Sequence, residues 1–320
     1  MPDPNIGQLT ASVFERVVRR KPEDNVFTSQ LLLKLLKEGG GFTKEPGGAL
    51  IEETLMYAEN TTFGSHSGYD TLNVTPVDVF DAARFNWKEN AGTISYSQIE
   101  QLRAMGEEAK FALIDAKVEN GKQSHFATMN RQMYSDGTGN GGKDIGGLAL
   151  LVSSTPTTGT VGGINRATFP FWRNRQTLGT NTGTAFNQLR GAMRSIYNSC
   201  SKGAAEEHPE WFVFDQTSFE GYESTLTTNE RFTSKAEGDG GFKNEVLKFK
   251  GAKTTFDEDC PAGTGFCLNG RNLKFRYLRW AKAEPAIRPA NQTAEVVQVY
   301  TAGNMSINNP RRLGVITVIT

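Results

Sequence analysis

The stretch from Ser97 to Tyr134 limits most strongly what this chain can become, because it reads as one long helix. Ser97 and Glu100 form a Ser-x-x-Glu capping box, in which hydroxyl and carboxylate each satisfy a free backbone N–H at the helix start. Apolar residues then recur at helical spacing: Ile99, Leu102, Met105, Ala109, Leu113 and Ala116. The stripe weakens over residues 119–123 and resumes at Phe126, Met129 and Met133, and Asp136-Gly137 ends it. At about 1.5 Å per residue the rod would span roughly 55 Å, about three times the ordinary helix length. Gly121 is a candidate kink. So long a rod with one narrow apolar face suits a strut along which the rest of the chain is laid.

Charge and composition remove several function classes. Lys plus Arg number 35 and Asp plus Glu number 35, so the net charge is zero. That leaves no electrostatic case for tight nucleic-acid or membrane-surface binding. No apolar run approaches the roughly 18–20 residues of a membrane span, and Met1–Asn5 lacks the regions of a signal peptide. With 37% hydrophobic residues and balanced charge, the chain is not of the disordered class. Cys200, Cys260 and Cys267 lack zinc-site spacing. Cys260 and Cys267 could close a small loop, but free buried thiols in a reducing compartment are the expected state.

Taken in order, residues 1–45 form an arm with two short amphipathic pieces, Ala11–Arg20 and Ser29–Lys37, each too short to be a stable helix alone. Residues 46–96 give a hairpin. Gly48–Tyr57 is one strand, and Ala83–Lys88 alternates, with Ala83, Phe85 and Trp87 on one face. Ala58–Val79 between them is polar and turn-rich, longer than an ordinary loop. A two-stranded arm buries too little to stand alone, so a neighbouring subunit should complete it. Residues 140–285 read as a mixed α+β region. Its expected parts are a buried strand at Leu148–Val152, a helix at Thr184–Ser199, a core strand at Trp211–Phe214, and a short helix capped by Thr217 and Glu220. Strands follow at Leu247–Phe249, Thr254–Phe256 and Phe275–Leu278. The tail gives Glu295–Ala302, then Met305–Ile307, a turn at Asn308–Pro310, and Leu313–Thr320, which should pair against the long helix.

Little in the sequence points to catalysis. Gly137–Asp144 matches the start of a phosphate loop, but Asp144 stands where Ser or Thr would reach magnesium, and a polar helix precedes it instead of a buried strand. His66, His125 and His208 are scattered. Asp257-Glu258-Asp259 is the sharpest carboxylate cluster, and a solvated turn is its plainer reading, since hard cations need about six ligands. No catalytic residue, cofactor or metal site is expected, and the chain is read as structural.

Several stretches together resemble the major capsid proteins of tailed bacteriophages. They are Asn60–Leu72, with Ser67-Gly68-Tyr69-Asp70-Thr71-Leu72; Leu150–Asn174, with Thr155–Arg166 and Phe171-Trp172-Arg173-Asn174; Phe256–Thr264; and Ala302-Gly303-Asn304 with Arg311–Val315. The likeness runs from about residue 46 to the end, in order, and omits the arm.

The resemblance implies an α+β HK97-like capsid fold: an N-terminal arm at 1–45, an extended β-hairpin loop at 46–96, a peripheral domain from 97–139 and 286–320 built on a spine helix, and an axial domain at 140–285. It implies a major head protein that self-assembles as homo-pentamers and homo-hexamers into an icosahedral shell around double-stranded DNA. Such a protein would be found in the virion and assembled in the host bacterial cytoplasm. A portal and a decoration protein are the implied partners, with a separate scaffolding protein or none (only some 45 residues precede the hairpin) and no membrane. An encapsulin-like compartment of the same fold is the alternative. Inter-subunit contacts are expected at Tyr57, Tyr69, Phe85, Trp87, Arg166, Trp172 and Arg173. Phe85 and Trp87 either anchor the hairpin on a neighbour or pack within the chain. Arg166 and Arg173 either meet a neighbour's carboxylates or are simply exposed.

Overall fold

A computed structural model of the chain describes residues 31–103, 107–180, 186–201, 208–224, 226, 247–283 and 286–319. The expected piece Ala11–Arg20 lies outside the described residues. The first helix, α1 (Leu31–Glu38), buries Leu32, Leu33, Leu35 and Leu36. β1 (Phe42–Lys44), β2 (Ile51–Met56), β3 (Phe80–Phe85) and β4 (Glu89–Ser97) follow. The spine comes next as α2 (Gln98–Arg103) and α3 (Glu107–Tyr134). Residues 104–106, between them, lie outside the described residues. The capping box forms as the sequence indicates. Ser97 N–H donates to Glu100 Oε2 at 3.0 Å, and Glu100 N–H donates to Ser97 Oγ at 3.3 Å. The Lys117 ammonium, 2.8 Å from Glu100 Oε2, together with the Ser97 N–H holds that carboxyl below its usual range. α3 runs unbroken through Gly121, where a Cβ would lie 2.4 Å from the Ile94 side chain. This glycine lets β4 approach the helix.

The remaining elements are β5 (Thr160–Val161), β6 (Ile164–Asn165), β7 (Arg175–Thr180), α4 (Phe186–Cys200), β8 (Trp211–Phe214), α5 (Gln216–Ser224), β9 (Leu247–Phe249), β10 (Ala252–Phe256), β11 (Thr264–Leu268), β12 (Leu273–Ala283), β13 (Ala294–Ile307) and β14 (Gly314–Ile319). They build two main sheets. One has the order β1-β12-β13-β4, the other β7-β14-β11-β8-β10-β9. All four side chains of β8 are buried because its sheet is covered on both faces. Phe212 and Phe214 join Leu189, Met193 and Ile196 of α4 in one core. Trp211 and Val213 join Met129, Met133, Leu148 and Trp172 in the other. Alternation along one strand thus divides the hydrophobic interior in two.

Several expectations are corrected. Leu148–Leu151 is a helical turn, not a strand, with the Leu150 and Leu151 N–H groups donating to Gly147 O. A short apolar run does not distinguish the two by periodicity. A Cβ on Gly147 would meet the Met133 and Gln132 carbonyl oxygens at 2.4 and 2.5 Å, so the turn docks backbone-first on the end of α3. The cap of α5 is Asp215, whose Oδ2 accepts from Ser218 N–H at 3.4 Å, and Thr217 lies inside the helix. The expected break between Ala302 and Met305 does not occur, and β13 is continuous. Gly303 is small because a Cβ would lie 2.8 Å from Arg276 O. Asn304 accepts from Gly146 N–H and donates to Asn86 O. The C-terminal strand pairs with β11 and β7 rather than against the long helix. The strand expected at Phe275–Leu278 is longer, as β12, and pairs along its length with β13.

The two sheets meet at the end of the spine. Tyr134 Oη donates to Asp257 Oδ2 at 2.9 Å, and Asn130 Nδ2 donates to Asp257 Oδ2 at 3.3 Å and to Asp259 Oδ2 at 2.7 Å. Asp259 N–H donates to Asp257 Oδ1 at 3.1 Å. Asp257 is buried, so the cluster is a tie between helix and turn and not a solvated turn. Its burial pushes the carboxyl above the ordinary range, against the hydrogen bonds it accepts.

Two predictions follow from this packing. Because the folded chain favours protonated Asp257, its contribution is fully present below the ordinary carboxylate value of about 3.9 and declines as pH rises through the raised value. Asp257→Asn has one acceptor in place of two and should cost about 1–3 kcal/mol. The parent's advantage over this variant, read by urea unfolding from about pH 4 to 7, should shrink as pH rises. An advantage that grows with pH contradicts the assignment. Gly147→Ala should cost about 1–3 kcal/mol in the same assay, because backbone atoms cannot move aside as a side chain can.

Candidate assembly surface

Among the described residues, exposed large apolar side chains are densest on the hairpin. β2 and β3 pair antiparallel from Ile51↔Phe85 to Met56↔Phe80. Period-two alternation turns Ile51, Glu53, Leu55, Ala83 and Phe85 inward and Glu52, Thr54 and Arg84 outward. Glu52 and Arg84 form an exposed ion pair at 3.0 Å. The base is held by the short β5–β6 turn. Arg84 N–H donates to Gly162 O at 2.9 Å, and Gly162, at φ +59°, leaves room for Ala83 and Phe85. Trp87 Nε1 donates to Gly48 O at 2.8 Å, closing the hairpin's entry onto its exit.

Beyond the ladder, residues 57–79 are held by local turns. Asn60 Oδ1 accepts from the Thr62 N–H and hydroxyl, Asp70 Oδ2 from Ser67 N–H, and Asn73 Oδ1 from Thr75 N–H. The apolar residues here face solvent. Of the twelve large apolar side chains exposed among the described residues, seven lie between positions 50 and 80: Leu50, Met56, Phe63, Tyr69, Leu72, Val74 and Phe80. So dense a run of exposed apolar groups makes the hairpin the candidate interaction surface.

The residues singled out in the sequence separate into two groups. Tyr69 is fully exposed at the tip. The others are occupied within the chain. Phe85 is buried in the main core, with half-buried Trp87 packed against it. Tyr57 stacks on Phe171 at 5.3 Å. Trp172 is buried and donates from Nε1 to Val161 O at 2.9 Å. Arg166 is buried, not exposed, and its guanidinium donates to the Leu150 and Leu151 carbonyls at the end of their helical turn. Burial pulls that guanidinium down to about 10. Arg173 donates from Nε to Arg166 O at 2.6 Å and from Nη2 to Ala167 O at 2.7 Å. These side chains therefore build the platform under the hairpin. Sequence reasoning passed over Met56, Phe63, Leu72, Val74 and Phe80. Met56 and Phe80 are the paired ends of the ladder, and for Phe63, Leu72 and Val74 the signal is apolar character in a turn-rich segment without periodicity.

The groups considered for chemistry lie apart. His125, with its ring shifted toward the neutral form by burial, hydrogen-bonds Thr301 Oγ1 at 2.8 Å. His208 stacks on Tyr197 at 5.7 Å, and His66 is exposed in the hairpin tip. The glycine-rich stretch follows directly on α3 and closes as a turn at Gly139–Gly142, where Gln132 Nε2 donates to Asp144 Oδ1 at 3.1 Å. Cys200, Cys260 and Cys267 are buried free thiols. Among the described residues, no three His, Cys, Asp or Glu side chains converge as metal ligands, and no helix is long and apolar enough to cross a membrane.

No protein-family model and no curated protein sequence matches the chain. Solved structures do. The chain is similar to a capsid protein of cyanophage A-1(L), with 15% identity and a TM-score of 0.68 over 92% of this chain and 94% of that one. It is similar to the capsid protein of the Myoviridae phage XM1 at 12% identity and a TM-score of 0.59, over 93% and 95%. The SrpI encapsulin of Synechococcus elongatus also matches, at 8% identity and a TM-score of 0.60 over 93% and 90%. With nearly the whole chain matched against shell proteins of this architecture, the chain has the HK97-like capsid fold.

Proposed function

We propose that this chain is a major capsid protein that assembles with itself, as pentamers and hexamers, into an icosahedral shell around double-stranded DNA. The observation that carries the reading is the hairpin: a two-stranded element with a dense run of exposed apolar residues, on a fold shared with capsid proteins. The inner face of the ladder is already buried in the chain's own core, and burial against a neighbour would cover the exposed apolar residues beyond it. Closed symmetry supplies such a neighbour for every copy, and obligate interfaces bury about 2,000–5,000 Å² or more.

In this reading residues 46–96 are the extended loop, whose last strand β4 joins the four-stranded sheet, and the spine with β12 and β13 is the peripheral domain. The six-stranded sheet with α4 and α5 is the axial domain, and residues 1–45 are the arm. Tyr69 and its exposed neighbours touch the adjacent copy directly. Tyr57, Phe85, Trp87, Arg166, Trp172 and Arg173 act through the platform that presents them. Zero net charge suits a wall that contains DNA without gripping it. A portal, a separate scaffolding protein and a decoration protein are the partners of such a shell, which would form in the host bacterial cytoplasm and end in the virion. The role is structural and not enzymatic.

Negative-stain electron microscopy and mass photometry of the chain, expressed alone and with crowding agents, test the proposal. Closed shells or capsomer-sized rings are expected, and a chain that stays monomeric throughout, also when co-expressed with its scaffolding protein, contradicts it. Particles filled with protein cargo in place of DNA would favour an encapsulin-like compartment. Phe63→Ser, Tyr69→Ser and Val74→Ser should each leave the unfolding free energy of the unassembled chain, read in urea, unchanged within about 0.5 kcal/mol, yet lower the yield of particles.

A further inference from the structure

The inward face of β2 carries one charge. Glu53 sits between Ile51 and Leu55, both core residues, and is itself 4% exposed. Its Oε1 accepts from Arg276 Nε at 2.6 Å and from Ser306 Oγ at 2.8 Å, and its Oε2 lies 3.5 Å from Lys274 Nζ. Arg276 also donates from Nη1 to Glu45, whose own N–H donates to Tyr277 O at 2.9 Å. Two carboxylates and two cations thus join the segment leading into the hairpin, its first strand, β12 and β13.

Apolar packing at the hairpin base is non-directional and would tolerate a range of tilts. A buried ionic network is different. Each charge must keep its partners in one geometry, and fixing one arrangement is the best-attested use of such groups, ahead of stability. Arg276 bridges two carboxylates with a planar fork that an ammonium cannot reproduce.

We propose that Glu45, Arg276, Glu53 and Lys274 are positioning residues that set the angle at which the hairpin leaves the body, so that its exposed residues reach a neighbouring copy in one orientation. This rests on the assembly reading above, but its test does not.

Spin labels at Asp81→Cys on β3 and Lys122→Cys on α3, both exposed, report the tilt by pulsed electron resonance, and the three native thiols are buried away from the label. The unassembled parent should give one narrow distance. Glu53→Gln leaves Arg276 paired with Glu45 and should lower the thermal midpoint by only roughly 3–8 °C, while the distance distribution broadens or splits. Arg276→Lys, which keeps the charge and loses the fork, should broaden it as well. Where Glu53→Gln does not fold, Glu45→Gln, at the more exposed end of the cluster, takes its place with the same expectation. A parent distribution already broad, or variants no wider than the parent, overturns the proposal. Because the distances are read before assembly, they decide it whether or not particles form.

Discussion

The spine helix ends on a buried carboxylate, and much of the architecture depends on that junction. Asn130 and Tyr134, one turn apart on α3, both donate to Asp257 at the end of β10. The four-stranded sheet lies along the helix through β4, where Gly121 admits Ile94. The six-stranded sheet reaches the last turns of the same helix, through Met129, Met133 and the Asp257 bonds. A desolvated carboxylate is costly to leave unpaired, so the contact has one satisfactory arrangement. That fixes the spine against the second sheet, and thereby the body from which the hairpin projects.

The hairpin inverts the logic of the body. Its ladder is sealed on one face by the β5–β6 turn, whose Gly162 O accepts from Arg84 N–H and whose Val161 O accepts from Trp172 Nε1, while Phe171 stacks on Tyr57 where the ladder ends. Past Tyr57 the chain has only local turns and presents its apolar side chains to water. A soluble monomer gains nothing from that arrangement. A subunit in a closed assembly gains the burial of those side chains once per neighbour, and the same surface disappears from solvent in every copy.

The parts legible in the sequence were those governed by local or periodic rules. The capping box at Ser97 and Glu100 and the α4 face of Leu189, Met193 and Ile196 rest on such rules, as do the apolar run of β8 and the alternation of Ala83 and Phe85. What escaped depended on distant neighbours. Gly303-Asn304 looked like a break because their small size and amide serve Arg276, Gly146 and Asn86, which lie far off in sequence. Leu148–Leu151 is helical because Gly147 docks on the end of α3. Phe85, Trp172 and Arg166 stand out in the sequence as candidate contact residues, and only packing shows that they are buried within the chain. The exposed residues Phe63, Leu72 and Val74 follow no period, since nothing within the chain packs against them.

The central claim is that the exposed apolar residues of the hairpin are covered by another copy of the chain. Hydrogen–deuterium exchange of amides 57–80, compared between dissociated subunits and assembled particles, tests this most directly. Marked slowing concentrated in that segment on assembly is the predicted result. Equal exchange in the two states, with particles present, would contradict it.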